Sequence, residues 1–398
     1  MNGPLTWGQK AIWQAVERTR PDDHYFNFTK ILEVPERARP LSADRAIQAV
    51  EDLVTRHAAL RTRLGFGGEP YQIVEEHAEP EIWPGAAPEE LEAPAFDYEK
   101  EWPLRVGLIT DGGEVTRIVL VFCHMATDGL GGDIALRDLR MLLVRGRVSG
   151  PLPPQPLDLA RWQISPEGRQ VARTAAEHWE ACEPVVMFDN PPGAPASPPI
   201  WRADLASPAL DLALRALAHR HRTSTSTVAL TAVAALVGQV TGRAKVAILP
   251  IVHNRFRSDT ARMVSTLSQE GLFTLDIHED LGERFRAARP AALRAYSSAY
   301  HDPADRANRS WVQPLACFND MRSSHPEPID VSPEEIAVAR PLSTLSWPLS
   351  QDMLNCRFCV HITDPLNISV TADTRFLPKP EMEWFLLSLE STLIEAVR

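Results

Sequence analysis

Apolar and polar residues alternate along the chain, in some stretches with the period of a helix and in others with that of a strand. Residues 4–19 place apolar side chains on one side of a helix. Residues 115–123 (VTRIVLVFC) are almost continuously apolar, as in a strand buried on both faces. A helix is predicted from about Gly129 to Val144. Further helices are predicted at 42–57, 166–182, 207–221, 224–241, 280–299 and 379–397, and further strands at 24–34, 59–66, 71–74, 104–109, 245–251, 271–277, 314–319, 354–363 and 366–372.

Two proline-rich stretches, residues 146–160 and 189–199, interrupt this pattern and are expected to be linkers or surface loops. The acidic, proline-rich residues 78–95 are also expected to form a loop. Helices and strands are mixed in the same way in both halves of the chain. The sequence therefore predicts an α/β (α+β) protein with an N-terminal lobe at 1–160 and a C-terminal lobe at 161–398.

The net charge excludes some classes of partner. The chain has 398 residues and a formal net charge of −11, so its surface as a whole does not attract nucleic acid or anionic lipid. No run approaches the roughly 20 apolar residues of a membrane span, and the start MNGPLTWGQKAIW lacks the pattern of a signal peptide. We therefore expect a cytoplasmic protein with no nucleic-acid or membrane partner. For two lobes in one chain, a monomer is the default expectation.

The cysteines form an odd and irregularly spaced set, which favours reduced thiols over a disulfide framework. They stand at positions 123, 182, 317, 356 and 359. Cys356 and Cys359 have the spacing of a redox or zinc pair, but the pair stands alone in a segment that alternates like a strand. We interpret them as two half-buried strand cysteines on different faces, and no metal site is predicted.

Candidate chemistry is concentrated in FCHMATDGLGG, residues 122–132. His124 ends the buried strand, and a histidine can transfer a proton near neutral pH because its unperturbed pKa is about 6.5. Asp128 stands where it can cap the next helix or form a fixed ion pair. Gly129 and the glycines after it allow a sharp turn and the close approach of a ligand. Spacing alone favours a structural histidine bonded to its own loop, with Asp128 as a capping residue.

The order of segments around this motif resembles that of the condensation domains of nonribosomal peptide synthetases over nearly the full chain. FCHMATDGLGG is similar to the family's active-site motif, which has two histidines, three variable residues and Asp-Gly. RHAALRTRL (56–64) is the closest match to another core motif. Weaker similarities, in the family's order, are LTWGQKAIW (5–13), ILPIVHNRFR (248–257), CFNDMR (317–322) and PLNISVTADTRF (365–376).

The resemblance implies a fold and roles for particular residues. The fold would be two chloramphenicol acetyltransferase-like lobes in a V, with a tunnel between them. His124 matches the catalytic histidine, and Asp128 matches an aspartate that pairs with an arginine, here Arg255. Gly129 matches a glycine whose amide lies near the reacting carbonyl.

The sequence departs from the family pattern at Cys123, which replaces the first histidine. Cys123 and His124 are expected to point to opposite faces, so only one of them can meet the substrate. A buried thiol is favoured over a nucleophile at this position. His253 and Asn319 are further candidates for lining the substrate site.

The expected activity is that of a free-standing condensation enzyme of antibiotic-type natural-product biosynthesis. It would join an acyl or aminoacyl thioester, held on the phosphopantetheine arm of a carrier protein met in trans, to an amine or hydroxyl nucleophile. No intrinsic cofactor is expected. Two alternatives stay open: an acyltransferase that uses acyl-CoA, and a non-catalytic relative that recruits partners to a carrier protein.

Overall fold

The computed structural model describes residues 1–182, 185–307, 314–322, 326–354 and 356–398. They form two compact units. The first comprises Met1–Ala172 and His253–Gln269, and the second comprises Arg173–Val252 and Glu270–Arg398. The lobe boundary at residue 160 stays a prediction. The first unit also takes in a later segment, and that segment contains Arg255.

The first unit contains two small sheets. Three antiparallel strands form one sheet in the order Asn2–Pro4, Tyr71–Val74, Thr62–Gly65. Four strands form the other in the order Phe28–Glu33, Glu114–Phe122, Leu104–Asp111, Glu81–Pro84, of which only the last is parallel to its neighbour. The helices are Trp7–Thr19, Ala43–Arg56, Pro88–Glu92, Gly129–Arg145 and Pro156–Gln163, with 3-10 turns at Asp23–Phe26, Glu36–Ala38 and Ala58–Arg61.

The core of this unit follows from the apolar pattern of the sequence. Ile118, Leu120 and Phe122 are fully buried and pack with apolar side chains of helices Ala43–Arg56 and Gly129–Arg145. Val119 and Val121, on the alternate face, are also fully buried in a separate apolar cluster, which confirms the predicted strand buried on both faces. Packing on both faces fixes the end of this strand, and the next residues of the chain are the candidate motif.

The second unit is built on one mixed sheet. Its strands run in the order Phe273–Asp276, Lys245–Val252, Ala316–Asp320, Phe358–Thr363, Asn367–Asp373, Ile200–Ala206, Thr344–Gln351. The three strands from Lys245–Val252 to Phe358–Thr363 are parallel, and the other pairs are antiparallel. The helices are Pro208–His221, Thr225–Thr241, Leu281–Ser297, Pro303–Ala307, Pro333–Ala339 and Lys379–Val397, with a 3-10 turn at Arg340–Leu342.

Two elements contain residues of both units, the helix Pro166–Ala181 and the two-residue strand Gln269–Glu270.

Among the described residues, no single helix is long and apolar enough to span a membrane. The helices Pro208–His221 and Thr225–Thr241 together reach the required length and composition, but they are bent by 103° at their junction.

The mixed α/β class is confirmed, and several local expectations are corrected. Residues 78–95 are not one loop, because a short strand, Glu81–Pro84, and a short helix begun by proline, Pro88–Glu92, lie within them. The strand predicted at 354–363 begins only at Phe358, and Asn355 lies outside the described residues. The strand Ile200–Ala206 has no counterpart among the predicted elements.

The interpretation of the cysteines was wrong. Cys356 and Cys359 form a disulfide rather than two reduced thiols on different faces. Cys356 precedes the strand, so strand alternation does not govern its direction. Cys317 is the register partner of Cys359 on the neighbouring parallel strand, and their side chains therefore share a face. The Sγ of Cys317 lies 2.6 Å from the Sγ of Cys359 and 3.4 Å from that of Cys356.

Candidate active site

The candidate loop joins a buried strand to a capped helix. Strand Glu114–Phe122 ends one residue before Cys123, and a turn closes with the amide of Ala126 donating to the Cys123 carbonyl at 2.9 Å. Asp128 then caps helix Gly129–Arg145, and its Oδ1 accepts from the Gly131 amide at 2.8 Å. Both ends of the loop are therefore fixed by backbone structure, and His124 stands between them.

Asp128 and Arg255 form the buried ion pair that the family resemblance implies. The guanidinium donates through Nη1 to Oδ2 at 2.8 Å, and its Nη2 lies 2.8 Å from Oδ1. Both side chains are almost fully buried. A two-pronged pair of this kind fixes orientation as well as distance. It ties the loop to a segment more than a hundred residues later in the same unit.

Three further donors converge on Oδ2 of Asp128. They are the amides of Leu267 and Ser268, each at 3.0 Å, and the Ser268 hydroxyl at 2.9 Å. Burial alone would raise the pKa of this carboxyl, but the charge of Arg255 and these hydrogen bonds lower it to about 2. Asp128 is therefore ionised at neutral pH and saturated with donors. It positions the loop and is not a candidate for proton transfer.

Arg255 is itself held by main-chain carbonyls. Its Nη2 donates to the carbonyls of Ser265 at 2.7 Å and Met263 at 3.2 Å, and its Nη1 donates to the His253 carbonyl at 3.2 Å. Gly131 leaves room for this arrangement, because a Cβ there would lie 2.9 Å from Nη2 and 2.0 Å from the Thr127 hydroxyl. The third residue of the GLGG run is thus required by packing.

His124 is half-buried between the aromatic rings of Phe26 and Phe28, whose centroids lie 6.4 and 5.7 Å from its own, both edge-on. Its Nδ1 is buried and has no hydrogen bond to another described residue. Its Nε2 is not among the buried atoms that lack a hydrogen-bond partner. The hydroxyl of Thr266 donates to the His124 carbonyl. Nε2 is therefore the ring nitrogen open to a substrate.

Burial lowers the pKa of His124, and the negative charge of Asp128 opposes this shift only in part. The ring is consequently neutral at pH 7, with a lone pair available to accept a proton. A neutral imidazole with one exposed nitrogen, on a loop fixed at both ends, has the properties of a general base or a positioning group.

Cys123 lies in a different environment from His124. It lines a small cavity of about 10 Å³, room for roughly one water molecule, together with Gln9, Tyr98 and Met125. Burial raises the pKa of the Cys123 thiol to about 12. A protonated, enclosed thiol is a poor nucleophile.

The other predicted residues are placed as follows. Gly129 is exposed at the first turn of its helix, with open space where a Cβ would be. His253 is exposed, and its Nδ1 accepts from the Arg255 amide at 2.9 Å. Asn319 is half-buried on strand Ala316–Asp320, which belongs to the second unit.

Thr266 and Ser268 were missed by sequence reasoning. Both donate hydrogen bonds directly to the loop. Their segment, residues 265–269 (STLSQ), carries no sequence motif, and only the fold brings it next to the loop. Gly8 belongs to the same arrangement, because a Cβ there would lie 2.1 Å from the Thr266 carbonyl oxygen. Among the described residues, the one group of three side chains suited to a metal ion is formed by the cysteines of the second unit, not by residues near His124.

Comparison with known proteins places this geometry in a family. A family model described as "Condensation domain" matches residues 2–274. An isonitrile lipopeptide synthase of Mycobacterium tuberculosis is 27% identical over 292 residues, which cover 65% of this chain and 11% of that protein. The chain spans only 2% to 11% of the length of the curated relatives it matches.

Solved structures agree on the fold. The structure described as the molecular basis for condensation domain-mediated chain release from the enacyloxin polyketide synthase has a TM-score of 0.75 at 16% identity, covering 99% of this chain and 82% of that one. A complex of the X-domain and OxyB from teicoplanin biosynthesis has a TM-score of 0.69 at 15% identity, covering 99% and 93%. At these identities the likeness concerns the fold.

Proposed function

Because the chain belongs to the condensation-domain family, we propose that it joins a carrier-bound acyl thioester to an amine or hydroxyl nucleophile, with His124 at the reacting centre. The observation that carries this proposal is the neutral imidazole of His124, whose Nε2 is open while its loop is fixed by Asp128 and Arg255. The acyl donor would be presented on the phosphopantetheine arm of a carrier protein acting in trans, in the cytoplasm. No intrinsic cofactor takes part in this scheme.

The reaction requires one proton to be moved. The nitrogen or oxygen of the nucleophile forms a bond to the thioester carbon, and its proton passes to Nε2 of His124. The carbon–sulfur bond then breaks, and the leaving thiolate takes the proton back. His124 therefore returns to its neutral form, and the products are an amide or ester and a free phosphopantetheine thiol.

The site offers two further contributions to this reaction. The first amides of helix Gly129–Arg145, beside Gly129, lack intrahelical partners and carry the positive end of the helix dipole. They would stabilise the oxyanion that develops on the carbonyl. Fixing the histidine before the substrates arrive supplies the positioning that, in model reactions, accounts for roughly 7–11 kcal/mol.

Intact-protein mass spectrometry of an acyl-loaded carrier, incubated with amine and alcohol nucleophiles, tests the proposal. Wild type is compared with His124→Ala and with Cys123→Ala, a change of the neighbouring residue, which lines the small enclosed cavity. We expect discharge of the carrier and a condensed product with wild type and Cys123→Ala, and neither with His124→Ala. A parallel reaction with acyl-CoA distinguishes the CoA-dependent alternative.

One observation favours a second candidate function. The chain resembles an X-domain that was solved in complex with OxyB, and Cys123 stands where the family has its first histidine. A non-catalytic relative that recruits partners to a carrier protein would bind a loaded carrier without discharging it. Binding without acyl transfer, for every donor and nucleophile, would replace the catalytic proposal with this one.

A further inference from the structure

Three cysteine sulfurs converge in the second unit, whereas the residues described around His124 belong to the first. The sulfurs of Cys317, Cys356 and Cys359 all lie within 4.8 Å of one another. Two strands and the turn before one of them supply these side chains, because Cys317 and Cys359 are register partners and Cys356 precedes strand Phe358–Thr363. The proposed acyl transfer uses none of them.

The surroundings of the cluster are apolar on one side and open on the other. Cys317 packs against Trp179, Leu249 and Leu272, whereas Cys356 is half-buried. A hydrophobic wall limits the access of water to a site, and a partly open edge lets a small ion enter.

We propose that, when the Cys356–Cys359 bond is reduced, the three thiolates bind one thiophilic metal ion, with Zn²⁺ as the ion to be tested. Zinc binds thiolate sulfur at about 2.3 Å, which places tetrahedral ligands about 3.8 Å apart. The sulfur of Cys317 lies 3.4 Å from that of Cys356, and the two shorter separations must lengthen toward this spacing once the disulfide is open. Zinc would join strand Ala316–Asp320 to the start of strand Phe358–Thr363 and leave a fourth position for water or another donor.

The disulfide and the metal site are alternative states of the same sulfurs. Opening the disulfide takes two electrons and two protons. A thiol reductant supplies them and becomes a disulfide, or a phosphine supplies the electrons and becomes a phosphine oxide, with water giving the oxygen and both protons. Zinc then displaces the three thiol protons to the buffer. Soft sulfur ligands select zinc or copper(I) over magnesium or calcium.

The experiment uses the full chain reduced by a phosphine and desalted without oxygen. Zinc is titrated in competition with a chromophoric chelator, and Co²⁺ is added separately as a spectroscopic probe. We expect one equivalent of zinc per chain and a thiolate-to-cobalt charge-transfer absorption band. Zinc should also raise the melting temperature of the reduced chain, because it binds the folded three-thiolate arrangement more tightly than the unfolded chain.

Cys317→Ser distinguishes a three-thiolate site from the Cys-x-x-Cys pair alone. Loss of an outer-shell partner already weakens metal sites by about 10- to 100-fold, so we expect loss of this direct ligand to weaken zinc binding by at least about 100-fold. Cys182→Ser is the matched control, since Cys182 is also half-buried and packs against the same apolar side chains as Cys317. This variant should still bind one equivalent of zinc. Cys356→Ser, altered in the turn before the strand, serves as a second ligand variant if Cys317→Ser does not fold.

Two results would overturn the proposal. One is a fully reduced wild-type chain that binds no zinc and gives no cobalt–thiolate band. The other is a folded Cys317→Ser or Cys356→Ser chain that binds zinc as tightly as wild type does. Neither result bears on acyl transfer, which is measured separately.

Discussion

Asp128 and Asp138 are both buried carboxylates at or within helix Gly129–Arg145, and each binds a different segment of the first unit. Asp128 caps helix Gly129–Arg145, and Asp138 lies within it. Opposing charges and hydrogen bonds lower the pKa of each to about 2 despite burial. Apart from the amide of Gly131, the donors to Asp128 come from Arg255 and the segment that follows it. Those to Asp138 are His57 at 3.1 Å, Arg56 at 3.2 Å and Arg137 at 2.8 Å.

The comparison teaches that a strongly lowered pKa does not by itself identify a functional site. Asp138 ties the end of helix Ala43–Arg56 to helix Gly129–Arg145, which is a packing role. Asp128 binds the same short segment that donates to the His124 carbonyl through Thr266. The two acids differ in what they connect: Asp128 is tied to the loop that carries His124, whereas Asp138 joins two helices.

Among the substitutions that test this comparison, Asp128→Asn should have the largest effect on acyl transfer. Asparagine keeps the shape and can still cap the helix, but it leaves Arg255 without a counter-charge and turns an N–H group toward other donors. Misplacing a catalytic group by about 1 Å can cost roughly 100-fold in rate, and we expect a loss of at least this size. Single-turnover transfer, at a temperature where circular dichroism shows a folded chain, measures it.

Asp138→Asn should instead lower the free energy of unfolding with little change in transfer. Removing one partner of a buried pair costs about 3–5 kcal/mol, and the lower value is expected because Arg137 is half-exposed. Denaturant unfolding measures the loss. If the folded variant lost as much transfer as Asp128→Asn, the distinction between the two carboxylates would be wrong.

Gly131→Ala and Gly129→Ala form a matched pair on one helical turn. A methyl group at position 131 would press on Arg255 and Thr127, so this variant should lose both stability and transfer. A methyl group at position 129 meets open space, so stability should be unchanged. Any loss of transfer by Gly129→Ala would then report crowding of a bound substrate. Unfolding and transfer measured on both variants separate these effects.

Ser268→Ala should have the smallest effect. It removes one hydroxyl donor from Asp128, whereas the amide of the same residue still donates. A hydrogen bond to a charged group contributes about 1.5–3 kcal/mol, and we expect a value at the low end, with transfer reduced only a few-fold. A loss as large as that of Asp128→Asn would show that the hydroxyl contacts the reactants directly.

The sequence predicted the local structure of the candidate loop well, because one continuous segment carries it. The buried strand, the turn and the capped helix around His124 follow from apolar runs and from the capping preference of Asp128, all local signals. Arg255 was found only through the family resemblance, because nothing local connects it to Asp128. Thr266 and Ser268 were not predicted, since their role is created by tertiary packing and their residue types are common in loops.

For the fold, the sequence predicted most helices and strands but missed some elements and contacts. Strand Ile200–Ala206 was missed because it follows a proline-rich stretch that reads as linker. The convergence of Cys317 with Cys356 and Cys359 depends on the register of two parallel strands distant in sequence. Parallel pairing leaves no local turn signal, so a single sequence could not predict this cluster.

The pH dependence of single-turnover transfer to an alcohol, which does not itself titrate near neutrality, tests the role of His124 most directly. Burial lowers the pKa of His124 from 6.5, so its neutral form should predominate above a pKa lower than that value. The account predicts a rate that rises with pH through this single pKa, levels off once the neutral form predominates and is lost in His124→Ala. A rate that is independent of pH, or a profile that persists in His124→Ala, would contradict it.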